Sequence, residues 1–130
     1  MSLNDPAVVA EVTAAFERYE RALVANDVAV LDELFLDDPS TLRYGIAENL
    51  HGIEAIRTFR ARRASAGLDR RLDRTQITAY GTDCAVAATL FYRTSAPGKV
   101  GRQMQTWIRT AAGWRVAAAH VSIIDEPEPA

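Results

Sequence analysis

A single cysteine, Cys84, cannot form an internal disulfide, so the chain must fold without that cross-link. This fits a reducing compartment, and cytoplasm is the expected location. Cys84 stands in Asp83-Cys84-Ala85-Val86, at an expected strand start, where a buried, inert thiol is the simplest reading. No window holds the ~20 apolar residues of a membrane span. The opening Met1-Ser2-Leu3-Asn4-Asp5-Pro6 has neither the basic nor the apolar region of a secretory signal. HExxH, CxxC and carboxylate–histidine clusters at ligand spacing are all missing, which argues against a metal. A glycine-rich phosphate loop after a strand is missing too, which argues against nucleotides.

Lysine is nearly absent: of the fifteen basic residues only Lys99 is not arginine. Arginine suits bidentate recognition of carboxylates, although a genome-wide compositional bias would leave the same mark. The net charge of −2 offers no global field for nucleic acid or membrane. Seven arginines fall between Arg57 and Arg74, but Phe59 is the only aromatic interleaved with them. That pattern reads as a solvated face, not an RNA-binding one.

The 130 residues suffice for one core. Asn4 or Asp5 before Pro6 marks a helix start, and Val9, Val12, Phe16, Tyr19 and Leu23 form its apolar stripe. Asn26-Asp27 separates it from a second helix carrying Val30, Leu31, Leu34 and Phe35, which stops at Asp37-Asp38-Pro39. A short strand over Thr41–Tyr44 runs into Gly45. A third helix follows Gly52, with Ile53, Ile56 and Phe59 on one side and Arg57, Arg60, Arg62 and Arg63 elsewhere; Ser65-Ala66-Gly67 ends it. Four strands follow, roughly 72–80, 85–92, 102–110 and 114–124, divided by turn-forming segments. Helices first and strands later predict an α+β domain over 1–125, three N-terminal helices packed on a curved antiparallel sheet, and a disordered tail over 126–130.

Residue types alone leave several roles open. Tyr19 lies on the buried stripe, either as a core tyrosine or with its hydroxyl in a pocket. Arg43 alternates with Leu42 and Tyr44; by itself it reads as a surface residue, whereas inside a core it would need an anion. His120 and Ser122 share one face of the last strand. A two-residue turn at 111–113 would set Gln103, Gln105 and Trp107 beside His120, and a three-residue turn would set Arg102, Met104 and Thr106 there. His120 is then either a hydrogen-bonded core histidine or a pocket acid–base group. Glu48 and Asn49 either cap the third helix, the simpler reading, or orient Arg43. Tyr44, Trp107 and Trp114 read as core or pocket wall, and His51 as exposed.

Two runs carry a family resemblance: Arg43-Tyr44-Gly45 with Glu48-Asn49-Leu50, Gly52, Ile56-Arg57, Phe59-Arg60 and Arg63, and Gly101-Arg102-Gln103, Gln105-Thr106-Trp107, Gly113-Trp114-Arg115-Val116 and Ala119-His120-Val121-Ser122. Together they resemble the AtzH-like branch of the nuclear-transport-factor-2-like (SnoaL-like) superfamily, over about 7–124. The resemblance implies a cone-shaped fold with a pocket between helices and sheet. It also implies a role beside an amidase in ureide, s-triazine or oxalurate nitrogen catabolism, including cofactor-free decarboxylation of 1,3-dicarboxyurea. Family positions of the catalytic tyrosine and arginine fall on Tyr19 and Arg43. Arg43 would clamp a carboxylate, with Arg102 a second clamp if the register allows. Tyr44, Gln105, Trp107, His120 and Ser122 are the further candidate substrate contacts. Tyr19 would supply the proton or hold the reacting group, with His120 the weaker candidate, since a phenol with pKa near ~10 is protonated at neutral pH. A non-catalytic ureide-binding or amidase-partner protein is the alternative, and a SnoaL-like proton-transfer enzyme, which wants a pocket carboxylate, ranks third. A homodimer built on the sheet is the expected assembly.

Overall fold

The computed structural model describes residues 1–64 and 68–127. The expected helix stop at Ser65-Ala66-Gly67 and the end of the expected tail, residues 128–130, lie outside the described residues. Helix α1 spans Pro6–Ala25. Asp5 caps it by accepting the Ala7 N–H at 2.9 Å, and Pro6 brings no amide hydrogen that would need a partner. It ends at Asn26, whose φ of 52° is left-handed and returns the Asp27 N–H to the Ala22 carbonyl at 2.8 Å. Asp27 then caps α2, Val28–Leu34, by accepting from the Val30 N–H. Phe35 leaves the helix extended and bridges to Val116.

Strands β1 (Leu42–Tyr44) and β2 (Asn49–His51) form a small hairpin, and α3 (Ile53–Arg62) follows. Next come β3 (Arg70–Tyr80), β4 (Cys84–Arg93), β5 (Lys99–Thr110) and β6 (Gly113–Asp125). They build one six-stranded sheet in the order β2-β1-β6-β5-β4-β3. The sheet is mixed, not wholly antiparallel as expected, because β1 lies parallel to β6. Parallel neighbours need a long crossover, and here it contains β2, α3 and β3–β5.

The helices cover one face of this sheet. Val8, Val12, Phe16, Tyr19, Ala22 and Leu23 of α1, Leu31 and Leu34 of α2, and Ile53 and Ile56 of α3 form the core with the sheet's Ala79, Ala85, Ala87, Trp107 and Val116. Small alanines on adjacent strands leave room for the large helix side chains to interdigitate. Two register shifts interrupt the sheet. One lies in β3 between Asp73 and Gln76, where Arg74 has φ 54°, and the other lies opposite the Thr106–Trp107 step of β5. Such bulges bend a strand and increase its twist.

The second shift decides the faces of the last strand. The turn at Ala111–Ala112 is the two-residue kind, with Thr110 opposite Gly113. Continued regularly, that turn would set Gln103 beside His120. However, Trp107 pairs with Val116 and Thr106 with Ala118, leaving Ala117 as an extra residue. Beyond it, Met104 faces His120 and Arg102 faces Ser122, while Gln103 and Gln105 face Val121 and Ala119. The short turn therefore gives the pairing expected of the longer one.

Two further expectations change. Arg60 and Arg70 are buried, so the arginine-rich stretch is not simply a solvated face. Cys84 is half-buried, not enclosed. Among the described residues, no helix is long and apolar enough to cross a membrane.

One polar staple joins α1 to the far end of the sheet. Glu11 Oε1 accepts from the Trp114 indole at 2.9 Å and from Arg109 Nη1 at 2.7 Å, and the Arg109 guanidinium stacks 4.7 Å above the Trp114 ring. The indole bond first, and Arg109 second, hold the Glu11 carboxyl below the usual glutamate range. A depressed folded-state pKa contributes stability above the unfolded pKa, and that contribution is lost as pH falls through the folded value. Glu11→Gln should therefore melt below wild type at neutral pH. The gap should narrow as pH falls through and below the ordinary glutamate range, as thermal melts at several pH values would show; a constant gap would contradict the assignment.

Candidate functional site

The open end of the cone holds a cavity of about 290 Å³ between the β1–β2 hairpin, the C-terminal end of α3 and the ends of β4 and β6. Its charged lining is Arg43, Glu48, Arg63 and Arg93, with Phe59 and Val121 among the apolar walls. A groove of about 310 Å³ lies on the opposite face of the sheet, against Arg102 and Met104. The first cavity is the better candidate because buried, unpartnered donors belong to its walls.

Arg43 reaches it by strand alternation. Leu42 and Tyr44 flank it on β1, and its own position pairs with Ala119 on the inner face of β6. The side chain is largely buried, lies 5.7 Å from the Phe59 ring centre, and donates through Nη1 to Glu48 Oε1 at 2.8 Å. Glu48 Oε2 in turn accepts the Ala47 N–H at 3.1 Å. Glu48 thus orients Arg43, while α3 is capped by Gly52 without any side-chain bond, the reverse of the simpler expectation. Gly45 makes this packing possible: a Cβ there would stand 1.7 Å from Glu48 Oε1 and 3.0 Å from Arg43 Nη1.

Arg63 and Arg93 have no carboxylate within ion-pair distance among the described residues. Arg63 donates weakly to Asn26 Oδ1 at 3.4 Å, and its Nε is buried without a partner. Arg93 has a buried, unpartnered Nε as well, and its guanidinium lies 5.2 Å from the Phe91 ring centre. Desolvation is the main force lowering both pKa values, and repulsion from Arg43 and other arginines adds to it. A guanidinium nevertheless remains protonated at neutral pH.

Behind this lining sits a third unusual arginine. Arg60, only 2% exposed, stacks 4.1 Å over Phe35 and donates through Nη1 to the Leu31 carbonyl at 3.2 Å and Asp32 at 3.1 Å; its Nη2 is buried without a partner. Tyr19 is 3% exposed, its ring 6.2 Å from that of Phe35. Tyr19 and Arg60 thus both pack on the Phe35 ring. Tyr19 is not itself one of the residues lining the cavity.

Other candidates go elsewhere. Arg102 is exposed and donates through Nε to Ser122 Oγ at 3.0 Å on the outer face. His120 is exposed on that face, edge-on to Tyr44 at 6.2 Å, and Tyr44 also meets His51 at 5.6 Å. The extra residue at Ala117 turns His120 and Ser122 away from the cavity, while regular alternation turns Arg102 away on β5 and Tyr44 away on β1. Gln105 and Trp107 do face inward, but they are core: the indole donates to Gln105 Oε1 at 3.1 Å, and neither lines the cavity.

Arg63 and Arg93 were not anticipated as site residues. Arg93 carried a readable signal, since it continues the inward alternation Ala85, Ala87, Thr89, Phe91. Arg63 carried none, because it follows the last turn of α3, where helical periodicity no longer fixes direction. Carboxylates are present inside the cone, contrary to expectation. Glu48 is paired with Arg43, and Glu20 is paired with Arg70, whose Nη2 also donates to Gln103 Oε1 at 3.0 Å.

The sequence matches the AtzH-like family model over residues 1–127. Among solved structures, a protein of unknown function from the DUF3225 family of Pectobacterium atrosepticum is 61% identical, with 95% of each chain covered and a TM-score of 0.92. A cystatin-like fold protein from Burkholderia xenovorans is 50% identical over 98% of this chain and 99% of the other, with a TM-score of 0.94. A nuclear-transport-factor-2-like protein from Salmonella enterica is 23% identical over 95% of this chain and 94% of the other, with a TM-score of 0.72, and shares the fold. No curated protein matches the sequence. With its family model matched over nearly the whole sequence, and with the fold of nuclear-transport-factor-2-like proteins, the chain belongs to the AtzH-like family.

Proposed function

We propose that the chain decarboxylates an N-carboxylated urea, of the 1,3-dicarboxyurea type, in the cavity at Arg43. The observation that carries this reading is the charge of the walls: among the described residues, three arginines and a single carboxylate, Glu48, already paired with Arg43. Such an enclosure favours a small anion. Its volume of about 290 Å³ lies at the lower end for small-molecule sites, which suits a compact ligand.

Arg43 holds the substrate through the donors that Glu48 leaves free, with the guanidinium plane fixed by Glu48 and Phe59. Breaking the C–N bond of the carbamate releases neutral carbon dioxide and leaves the electron pair on the urea nitrogen. That nitrogen takes a proton that originates at the Tyr19 hydroxyl and passes through an intervening water, since Tyr19 stands behind the cavity wall. The phenolate formed for that moment shares the Phe35 ring with the Arg60 cation, and water restores its proton. The carbonyl-conjugated nitrogen accepts the electrons, so the step requires no further electron sink. Proton abstraction in the manner of an isomerase is less well supported, because the two carboxylates found in the cone among the described residues, Glu48 and Glu20, are each already held by an arginine.

Carbon dioxide release from 1,3-dicarboxyurea, generated in situ by its upstream amidase, tests this directly. Wild type should accelerate release, and Tyr19→Phe should lower kcat by about 10²–10⁴ while retaining the fold by circular dichroism. Arg43→Ala should lose the acceleration. Wild-type release at the spontaneous rate, or near-normal turnover by Tyr19→Phe, would overturn the proposal.

Gly45→Ala should dislodge Glu48 from Arg43 without touching Tyr19. Its expected signature is a raised KM with a smaller effect on kcat, and unchanged kinetics would remove Glu48 from the account. For assembly, we propose a homodimer through the outer sheet face, where Met104 is 56% exposed. Gel filtration should give twice the monomer mass for wild type and the monomer mass for Met104→Glu.

A further inference from the structure

We infer that Arg63 and Arg93 form a second anion subsite, which makes the cavity selective for ligands bearing two carboxylates. This rests on the proposed reading, whose substrate already carries two carboxylates, and deepens it by naming the residues that hold the second one.

Three observations converge on it. Arg63 and Arg93 line the same cavity as Arg43 but come from other elements, the end of α3 and the end of β4. Each has a buried Nε without a hydrogen-bond partner. Neither has a carboxylate partner among the described residues, whereas Arg43, Arg60 and Arg70 all do. Leaving a buried guanidinium N–H unpaired is costly, so a ligand oxygen that meets it gains more than it would at the surface.

The charge balance points to two anionic groups. Three cations and Glu48 leave the walls with two positive charges in excess. A single carboxylate on Arg43 would answer only one of them. A dianion answers both, with one carboxylate on Arg43 and the other on the Arg63–Arg93 pair.

Arg93 is also held in place. Its guanidinium stacks on the Phe91 ring, which lies against Gly101 so closely that a Cβ there would meet ring atoms at 2.1–2.3 Å. Arg70 stacks on the same ring at 4.5 Å and is tied to Glu20 and Gln103. Phe91 therefore forms a platform shared by one satisfied and one unsatisfied arginine. That arrangement fixes the direction of the Arg93 donors before any ligand arrives.

Titration calorimetry at low salt with malonate, succinate and glutarate, each beside its monomethyl ester, tests the subsite. Each pair keeps nearly the same shape and differs by one charge. At least one diacid should bind wild type about tenfold or more tighter than its half-ester. Arg63→Gln and Arg93→Gln should each erase that preference while leaving half-ester binding within about twofold, an effect that simple misfolding would not produce. Both variants should also melt a few degrees above wild type without ligand, since each removes an uncompensated buried charge.

A diacid preference that survives both variants would overturn the subsite, as would half-ester binding equal to that of every diacid, or no binding of any diacid. These results separate from the decarboxylase test. Carbon dioxide release without a dianion preference sinks the subsite alone. A dianion preference lost in the variants, without carbon dioxide release, keeps the subsite and sinks the reaction.

Discussion

The pairing of β5 with β6 is the constraint on which both halves of the molecule depend. Near the turn, the regular two-residue hairpin buries Trp107 against Val116 and closes the narrow end of the core. Past Ala117 the register moves by one residue, and a slip of one exchanges every side chain between the two faces. The small Ala119 and the branched Val121 are thereby directed inward, with Val121 at the cavity wall, while His120 and Ser122 go outward. A regular strand would have carried His120 towards the helices and the two small residues towards solvent. The extra residue thus determines which chemistry the inner face can present.

The two ends of the cone are built on opposite electrostatic terms. At the narrow end, Glu11 gathers Trp114 and Arg109, and Arg109 also reaches Asp83 at 3.2 Å, so the cation is fully answered. At the open end, positive charge exceeds negative, and unpartnered nitrogens remain on Arg60, Arg63 and Arg93. A chain under selection for stability alone would pair these groups or replace them, since isolated buried charges are destabilising. Accepted strain of this kind concentrates where a protein must bind or react.

Much of the architecture was legible in the sequence because local physics determined it. Asp5-Pro6 started α1, Asn26-Asp27 separated two helices, and period-two alternation marked the long strands. The parallel pairing of β1 with β6 was not legible, since it depends on a contact across some seventy residues that no local pattern encodes. The displaced register of β6 was hidden for another reason: Ala117 is one of three consecutive alanines, and nothing in that run marks the residue that will be left over. The candidate site divided in the same way. Tyr19 and Arg43 were singled out through the family resemblance, since alternation alone read Arg43 as a surface residue, and Arg60 sat on the expected solvent side of α3. Its burial depends on Phe35 and Asp32 arriving from α2.

The near-absence of lysine takes on a physical meaning at this end of the fold. Burial is the first cause lowering the pKa values of Arg60, Arg63 and Arg93, and neighbouring arginines add repulsion to each. An ammonium group starts from a lower pKa and, under similar burial, can lose its charge within the physiological range. A guanidinium begins high enough to remain cationic through the same penalty. It also stacks on aromatic rings, as Arg60 does on Phe35 and Arg93 on Phe91, which holds its donors in a plane whether or not a carboxylate answers the charge. Compositional bias accounts for arginine on the exposed surface equally well. At these three positions, keeping a positive charge beneath apolar cover requires it.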